Sequence, residues 1–284
     1  MNAPARVLRL RPTQGDAGEQ ALPVVPAPAD GEDDARSDAQ AARSPAPRLI
    51  PVRQKPVPAT VAFERLAAPL DAGHGIRVGA IGVSGSGKTT TIIAFLRFLV
   101  ETRRVHVIVV HDIKNPEPQY EGTIEHEADA LIARPPAAYP AIVVLRRRSV
   151  DHMPSVETAA RFTIHASYHK VPTMLVADEL KRALTPAGRE FEAPSVRVLL
   201  CDGRALGASF LWSTQLPQRV PIEAYDQSQV LWHKTGAKAG KYLVSAGVVD
   251  KTMAEQLGGL EVGQFFLGSP EDETDMTLYQ VPPP

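Results

Sequence analysis

The run AIGVSGSGKTTTI at positions 80–92 contains Gly82, Ser84, Gly85, Ser86, Gly87, Lys88, Thr89 and Thr90. Its spacing is GxxxxGK followed by a hydroxyl residue, a pattern that turns backbone N–H groups inward on a chain of phosphates. In such a loop Lys88 reaches the β and γ phosphates, and the Thr89 hydroxyl can ligate Mg2+. The motif works only between a strand and a helix. Here an apolar run precedes it and another follows, so the helix N-terminus adds its partial positive charge to the attraction.

A phosphate loop of this kind needs a partner acid at the end of a buried strand, and TMLVADE supplies it. Asp178 is the candidate for holding the magnesium. The neighbouring Glu179 is the candidate base, because a second carboxylate there can orient and polarise a water for attack on the γ phosphate. Hydrolysis is therefore implied, and not a switch alone. A guanine-reading NKxD is absent, since Asn115 is followed by Pro116. Two further segments bear on the site. HDIKNPE brings Asp112, which either orders water or magnesium or caps the strand turn, and Lys114, which could equally be a surface charge. In GASFLWSTQ a strand ends in Ser213, Thr214 and Gln215, and Gln215 is placed to sense the γ phosphate.

The elements that must carry these residues are legible as apolar runs of strand length at 77–83, 105–111, 141–147, 172–178, 208–214 and 229–235. Several are apolar throughout, as strands covered on both faces must be. Helices are expected at 88–103, 125–133, 155–169 and 189–206, and the alternation predicts a three-layer α/β/α sandwich on a mainly parallel sheet. GQFFLGSPEDETDMTLYQV reads as a C-terminal hairpin. Residues 1–58, rich in Pro, Ala, Asp and Arg, read as a disordered arm, leaving 59–284 as one domain.

The ordered set of phosphate loop, Asp112 and Lys114 after the second strand, Asp178 and Glu179 at the fourth, then RALG and STQ resembles the FtsK/HerA superfamily of P-loop DNA-pumping ATPases. Within it the chain looks most like the genome-packaging ATPases of membrane-containing double jelly-roll viruses. The likeness spans about residues 75–270. It implies a RecA/FtsK-HerA-like fold, ATP and Mg2+ as cofactors, and a homo-oligomer, expected to be a hexamer, that translocates double-stranded DNA. It further implies that Lys88, Thr89 and Asp178 bind Mg-ATP, that Glu179 is the catalytic base and Gln215 the sensor. Arg204, in RALG, would be an arginine finger acting in trans on a neighbouring subunit. Neither a barrel domain nor a membrane anchor is read before the loop, which favours packaging into a preformed capsid, with capsid vertex proteins as further partners. Two rivals remain: a HerA- or conjugation-type cellular or plasmid translocase, and a nucleotide-dependent vertex scaffold with little motor activity.

The balance of charge sets limits on these readings. With 31 Lys and Arg against 32 Asp and Glu the chain has a net charge of −1, so contact with nucleic acid must come from a few local cations gripping phosphates. Lys181, Arg182 and Arg189 on one loop, and Lys238 and Lys241 in GAKAGK, are candidates; a solvated basic turn is the equal alternative. Single-strand base stacking is not expected, because no aromatic residue alternates with these charges. Arg146, Arg147 and Arg148 read as a strand-end charge run. Cys201, the one cysteine, allows no intramolecular disulfide and is expected to be a small buried residue in a cytoplasmic protein. No apolar run is long enough to cross a membrane. His165 and His169 share a helix face without a third ligand in view, and Trp212 and Trp232 are expected to pack in the core.

Overall fold

The computed structural model describes residues 55–112, 120–125, 131, 134–138, 141–145, 153–180, 193–268 and 275–282. The chain divides into two units, Met1–Pro51 and Val52–Pro284, and every described residue belongs to the second. Its strands are β1 (Val57–Pro58), β2 (Arg77–Ile81), β3 (Val107–His111), β4 (Thr123–Glu125), β5 (Ile142–Leu145), β6 (Thr173–Ala177), β7 (Ala208–Thr214), β8 (Gln229–Trp232), β9 (Gln264–Gly268) and β10 (Asp275–Gln280). Its helices are α1 (Ala59–Asp71), α2 (Lys88–Glu101), α3 (Met153–Tyr168), α4 (Pro194–Leu206), α5 (Ile222–Asp226), α6 (Ala237–Ser245) and α7 (Lys251–Gly259).

All ten strands join one sheet in the order β1-β10-β9-β8-β2-β7-β6-β3-β5-β4. Every neighbouring pair is parallel except those made by β9, which runs against β8 and β10. The expected parallel sheet and C-terminal hairpin are both present. Alternation along each central strand explains the layers, because successive side chains leave on opposite faces. Ile108 and Val110 meet Phe63 and Leu66 of α1 and Ile92, Phe95 and Leu99 of α2 on one side. Val107 and Val109 meet Val156 of α3 and Val196, Leu199 and Leu200 of α4 on the other. With both faces apolar, neither side of the central strands is left to water. Trp212 and Trp232 are buried as expected, and the Trp212 Nε1–H donates to Ser228 Oγ at 2.9 Å.

Several expectations are corrected. The sheet takes in Val57 and Pro58, where Val57 pairs with Tyr279, two residues before the boundary read at 59. The helix read over 125–133 starts on a strand: Thr123–Glu125 pairs in register with Val143–Leu145, and most of the remainder lies outside the described residues. Pairing to a neighbouring strand overrides local helical propensity there. Lys238 and Lys241 stand exposed on helix α6 and not on a basic turn. Cys201 is only half-buried on α4; its Sγ–H donates to Glu223 Oε1 at 3.1 Å, and burial followed by that carboxylate pushes the thiol up to about 11. Lys114, Lys181, Arg182, Arg189 and Arg146–Arg148 lie outside the described residues.

Candidate active site

Because β8, β2, β7, β6 and β3 run parallel, their carboxyl ends meet at one edge of the sheet, in that order. The segment after β2 is the glycine-rich loop, Gly82–Gly87, and α2 begins at Lys88. Gly87 takes φ 92°, and a Cβ there would lie 2.5 Å from the backbone N of Gly263, so only glycine fits both the turn and the contact. Gly263 N–H in turn donates to Ser86 O at 3.1 Å. The loop before β9 thus braces the phosphate loop from the side.

Lys88 is buried, and its Nζ donates to Gly82 O at 2.7 Å and Val83 O at 3.0 Å, holding the ammonium across the loop. Beneath it lies His233, wholly buried just past β8, with its backbone N–H donating to Ile81 O at 2.8 Å. A Cβ on Gly82 would come within 2.7 Å of His233 Cβ. Burial, with the Lys88 charge as a second cause, pushes the imidazole down to about 3. It is a neutral spacer under a cationic loop, not a second cation.

One strand away from the loop, β7 presents Ser213 and Thr214. Gly82 N–H donates to Thr214 O at 3.3 Å, tying the loop to that strand tip. Ser213 then reaches the other way. Its Oγ–H donates to Asp178 Oδ1 at 2.6 Å, and the same oxygen accepts from the Glu179 backbone N–H at 3.1 Å. A single hydroxyl therefore fixes both acidic residues that follow β6. Asp178 and Glu179 are buried, and Glu179 sits at φ 65°, a left-handed conformation that costs a non-glycine residue of order 1–3 kcal/mol and concentrates at functional sites. Asp112 follows β3, the next strand, and is also buried; its N–H donates to Leu145 O, while Asp178 N–H donates to His111 O.

The structure thus brings Lys88, Thr89, Asp178, Glu179 and Asp112 to one edge. Gln215, half-buried, directly follows Thr214 between the loop and the acids. Arg204 does not join them within the protomer. It is exposed in the last turn of α4, where its carbonyl accepts from Gly75 N–H before β2 begins, at the opposite edge of the sheet. Ser213, Tyr120, His233 and Gly263 were not among the expected site residues; the polar strand tip hinted at Ser213 alone. The donors available to a metal, the Thr89 hydroxyl and the Asp178 carboxylate, are hard oxygens of the kind Mg2+ takes beside phosphate. Among the described residues no group of three His, Cys, Asp or Glu side chains could hold a metal by itself. His165 and His169 stack edge-on at 4.5 Å between ring centroids, both exposed, His165 in the last turn of α3 and His169 just past its end.

No protein-family model and no curated protein matches the chain. Solved structures do. The genome packaging NTPase B204 from Sulfolobus turreted icosahedral virus 2, in complex with ATP-gammaS, aligns with a TM-score of 0.60 at 16% identity, over 72% of this chain and 97% of that one. B204 from Sulfolobus Turreted Icosahedral Virus, a DNA-packaging ATPase, aligns at 0.57 and 16% identity, over 72% and 97%. VirB4 of Thermoanaerobacter pseudethanolicus aligns at 0.50 and 12%, over 72% and 90%. At these identities the likeness is one of fold, and it is the P-loop NTPase fold that the sequence led us to expect. No helix among the described residues is long and apolar enough to cross a membrane.

Proposed function

We propose that this chain is an ATP-hydrolysing motor that moves double-stranded DNA, with packaging of a viral genome into a preformed capsid as its leading role. One observation carries the ATPase reading: Ser213 locks Asp178 and Glu179 together, one strand away from a loop shaped for phosphates. The loop N–H groups and Lys88 hold the β and γ phosphates, with Ser84, Ser86 and Thr90 completing the cradle. Thr89 and Asp178 are the residues that would hold Mg2+, which when bound offsets phosphate charge. Glu179, buried and fixed through its own backbone, accepts a proton from the attacking water. Gln215, between loop and acids, reports whether the γ phosphate is present.

The motor reading draws on the fold shared with the packaging NTPase B204. Arg204 supports it further. Exposed at the edge remote from its own site, it is placed to act on a neighbouring subunit and not on its own nucleotide, which suits a head-to-tail ring in which hydrolysis depends on assembly. A near-neutral chain in a hexameric ring still gathers six copies of any basic pore segment, and Lys238 and Lys241 on α6 are the described candidates for gripping the DNA backbone. The test is steady-state ATP turnover across protein concentrations, with and without linear double-stranded DNA at low salt. Turnover that rises with both is expected. Turnover indifferent to DNA at every concentration would remove the motor reading and favour a nucleotide-dependent scaffold.

A further inference from the structure

Tyr120 has no part in the reaction described so far, yet the fold places it against the acids. Its side chain is buried, 4% exposed, and packs in the cluster formed by α1, α2 and one face of the sheet. Val110 and Val176, register partners on β3 and β6, belong to the same cluster. Asp112 and Asp178 lie two residues beyond Val110 and Val176, each just past the end of its strand, and Asp178 accepts from Ser213 of β7. The Tyr120 ring therefore packs on the α2 side of the sheet, in the cluster that holds the last apolar residues before the two carboxylates.

The hydroxyl of this ring is the informative atom. It is buried, and no atom of the described residues bonds to it. Its phenol is held well above the ordinary tyrosine range, first by burial and then by the negative charges of Asp178, Asp112 and Glu179. A buried hydroxyl without a partner among the described residues calls for an explanation such as a catalytic role or a bound ion's shell. A buried donor that feels the charge of three acids has an obvious one. Carboxylates that hold a metal or its waters are usually themselves steadied by a hydrogen-bond donor, and removing such a donor costs about 10–100-fold in metal affinity or activity.

We propose that Tyr120 is a positioning residue for the metal side of the nucleotide site: its O–H donates into the Asp112–Asp178 carboxylate pair and steadies the acids, and the waters they hold, as Mg2+-nucleotide is bound. The inference rests on the reading of this edge as an ATP site. It goes beyond that reading by assigning part of the Mg2+ dependence of binding to a side chain that cannot itself ligate Mg2+ as a neutral phenol.

The experiment compares wild type with Tyr120→Phe, which keeps the ring in the core and removes one oxygen. Affinity for ATP-gammaS is measured in excess Mg2+ and again in EDTA, with a Mg2+ titration at fixed nucleotide. The expected result is unchanged affinity in EDTA, which also reports an intact fold, and a loss of about tenfold or more in the enhancement that Mg2+ confers. An unchanged Mg2+ enhancement would make Tyr120 a packing residue and overturn the proposal. Equal loss in EDTA and in Mg2+ would overturn it too, by assigning the effect to the fold. If wild type binds no nucleotide in either medium, the ATP-site reading fails, and that outcome is distinct from failure of the variant alone.

Discussion

The two edges of the sheet bury different kinds of polar group. The carboxyl edge buries ionisable side chains, Lys88, His111, Asp112, Asp178, Glu179 and His233, together with hydroxyls such as Ser213 and Thr214. Near the amino edge the buried polar side chains are hydroxyls with bonds that close locally, such as Ser209 accepting from Ile76 N–H, Ser228 accepting from Trp212, and Thr173 donating to Val171 O. Ion pairs near that edge keep their acids at the surface, as where half-buried Arg104 makes a two-pronged contact with Asp71 at 2.9 Å and a further one with Glu64 at 2.7 Å. Burying a charge is expensive unless something compensates it. One edge is therefore organised for stability, while the other accepts the cost of gathering charge where a charged ligand would bind, outside the carboxyl ends of the strands.

The contrast can be broken by substitutions at either edge. Among substitutions that spare the acids themselves, the largest effect is expected from Ser213→Ala, which removes the hydroxyl joining Asp178 to Glu179. Turnover should fall by about 10–100-fold, in line with loss of a donor behind a metal-holding carboxylate, while nucleotide affinity without Mg2+ holds. Single-turnover and equilibrium binding measurements on the same preparation separate the two.

A second prediction uses His233. Its folded-state value, down at about 3, lies below the roughly 6.5 of an unfolded histidine. The unfolded chain therefore takes up the proton first. The contribution of this group to stability is intact above pH ~6.5 and is lost as pH falls toward 3, at a slope of up to about 1.4 kcal/mol per pH unit. Between pH 7 and pH 5 wild type should lose about 2 kcal/mol through this one group, and His233→Phe should lose correspondingly less over the same interval. Urea unfolding at the two pH values tests it. An identical pH slope in both proteins would show that the ring is not held neutral.

The smallest effect belongs to the amino edge. Arg104→Ala breaks an exposed ion cluster whose partners are more than half exposed. Such pairs contribute little, so Tm should fall by no more than ~3 °C, and turnover should not change. A change in turnover would mean that the edges are not separate.

What the sequence disclosed follows the same divide. The glycine loop, Lys88, and the Asp178–Glu179 pair were readable because each is local: a fixed spacing beside an apolar run. The six central strands were readable because both faces are buried, leaving continuous runs of Val, Ile and Leu. The bridge through Ser213 was not readable, since it joins residues 35 positions apart whose approach depends on β7 lying beside β6. Tyr120 and Gly263 reach the site in the same non-local way. Helix α1 escaped notice because its buried face, Ala59, Ala62, Phe63, Leu66 and Ala67, is mostly alanine, its N-cap is Pro58 without a capping bond, and Pro69 falls inside it. Strand β4 is three residues long and is defined by pairing with β5, which local pattern cannot reveal.

The central claim, that this edge hydrolyses ATP with Glu179 as base, is tested most directly by Glu179→Gln. Binding of Mg2+-ATP and turnover are measured side by side. The account predicts binding within a few-fold of wild type and a loss of about 100-fold or more in turnover, at the scale expected for removal of a general base. Wild-type turnover in this variant would contradict it, and would take the catalytic role away from Glu179.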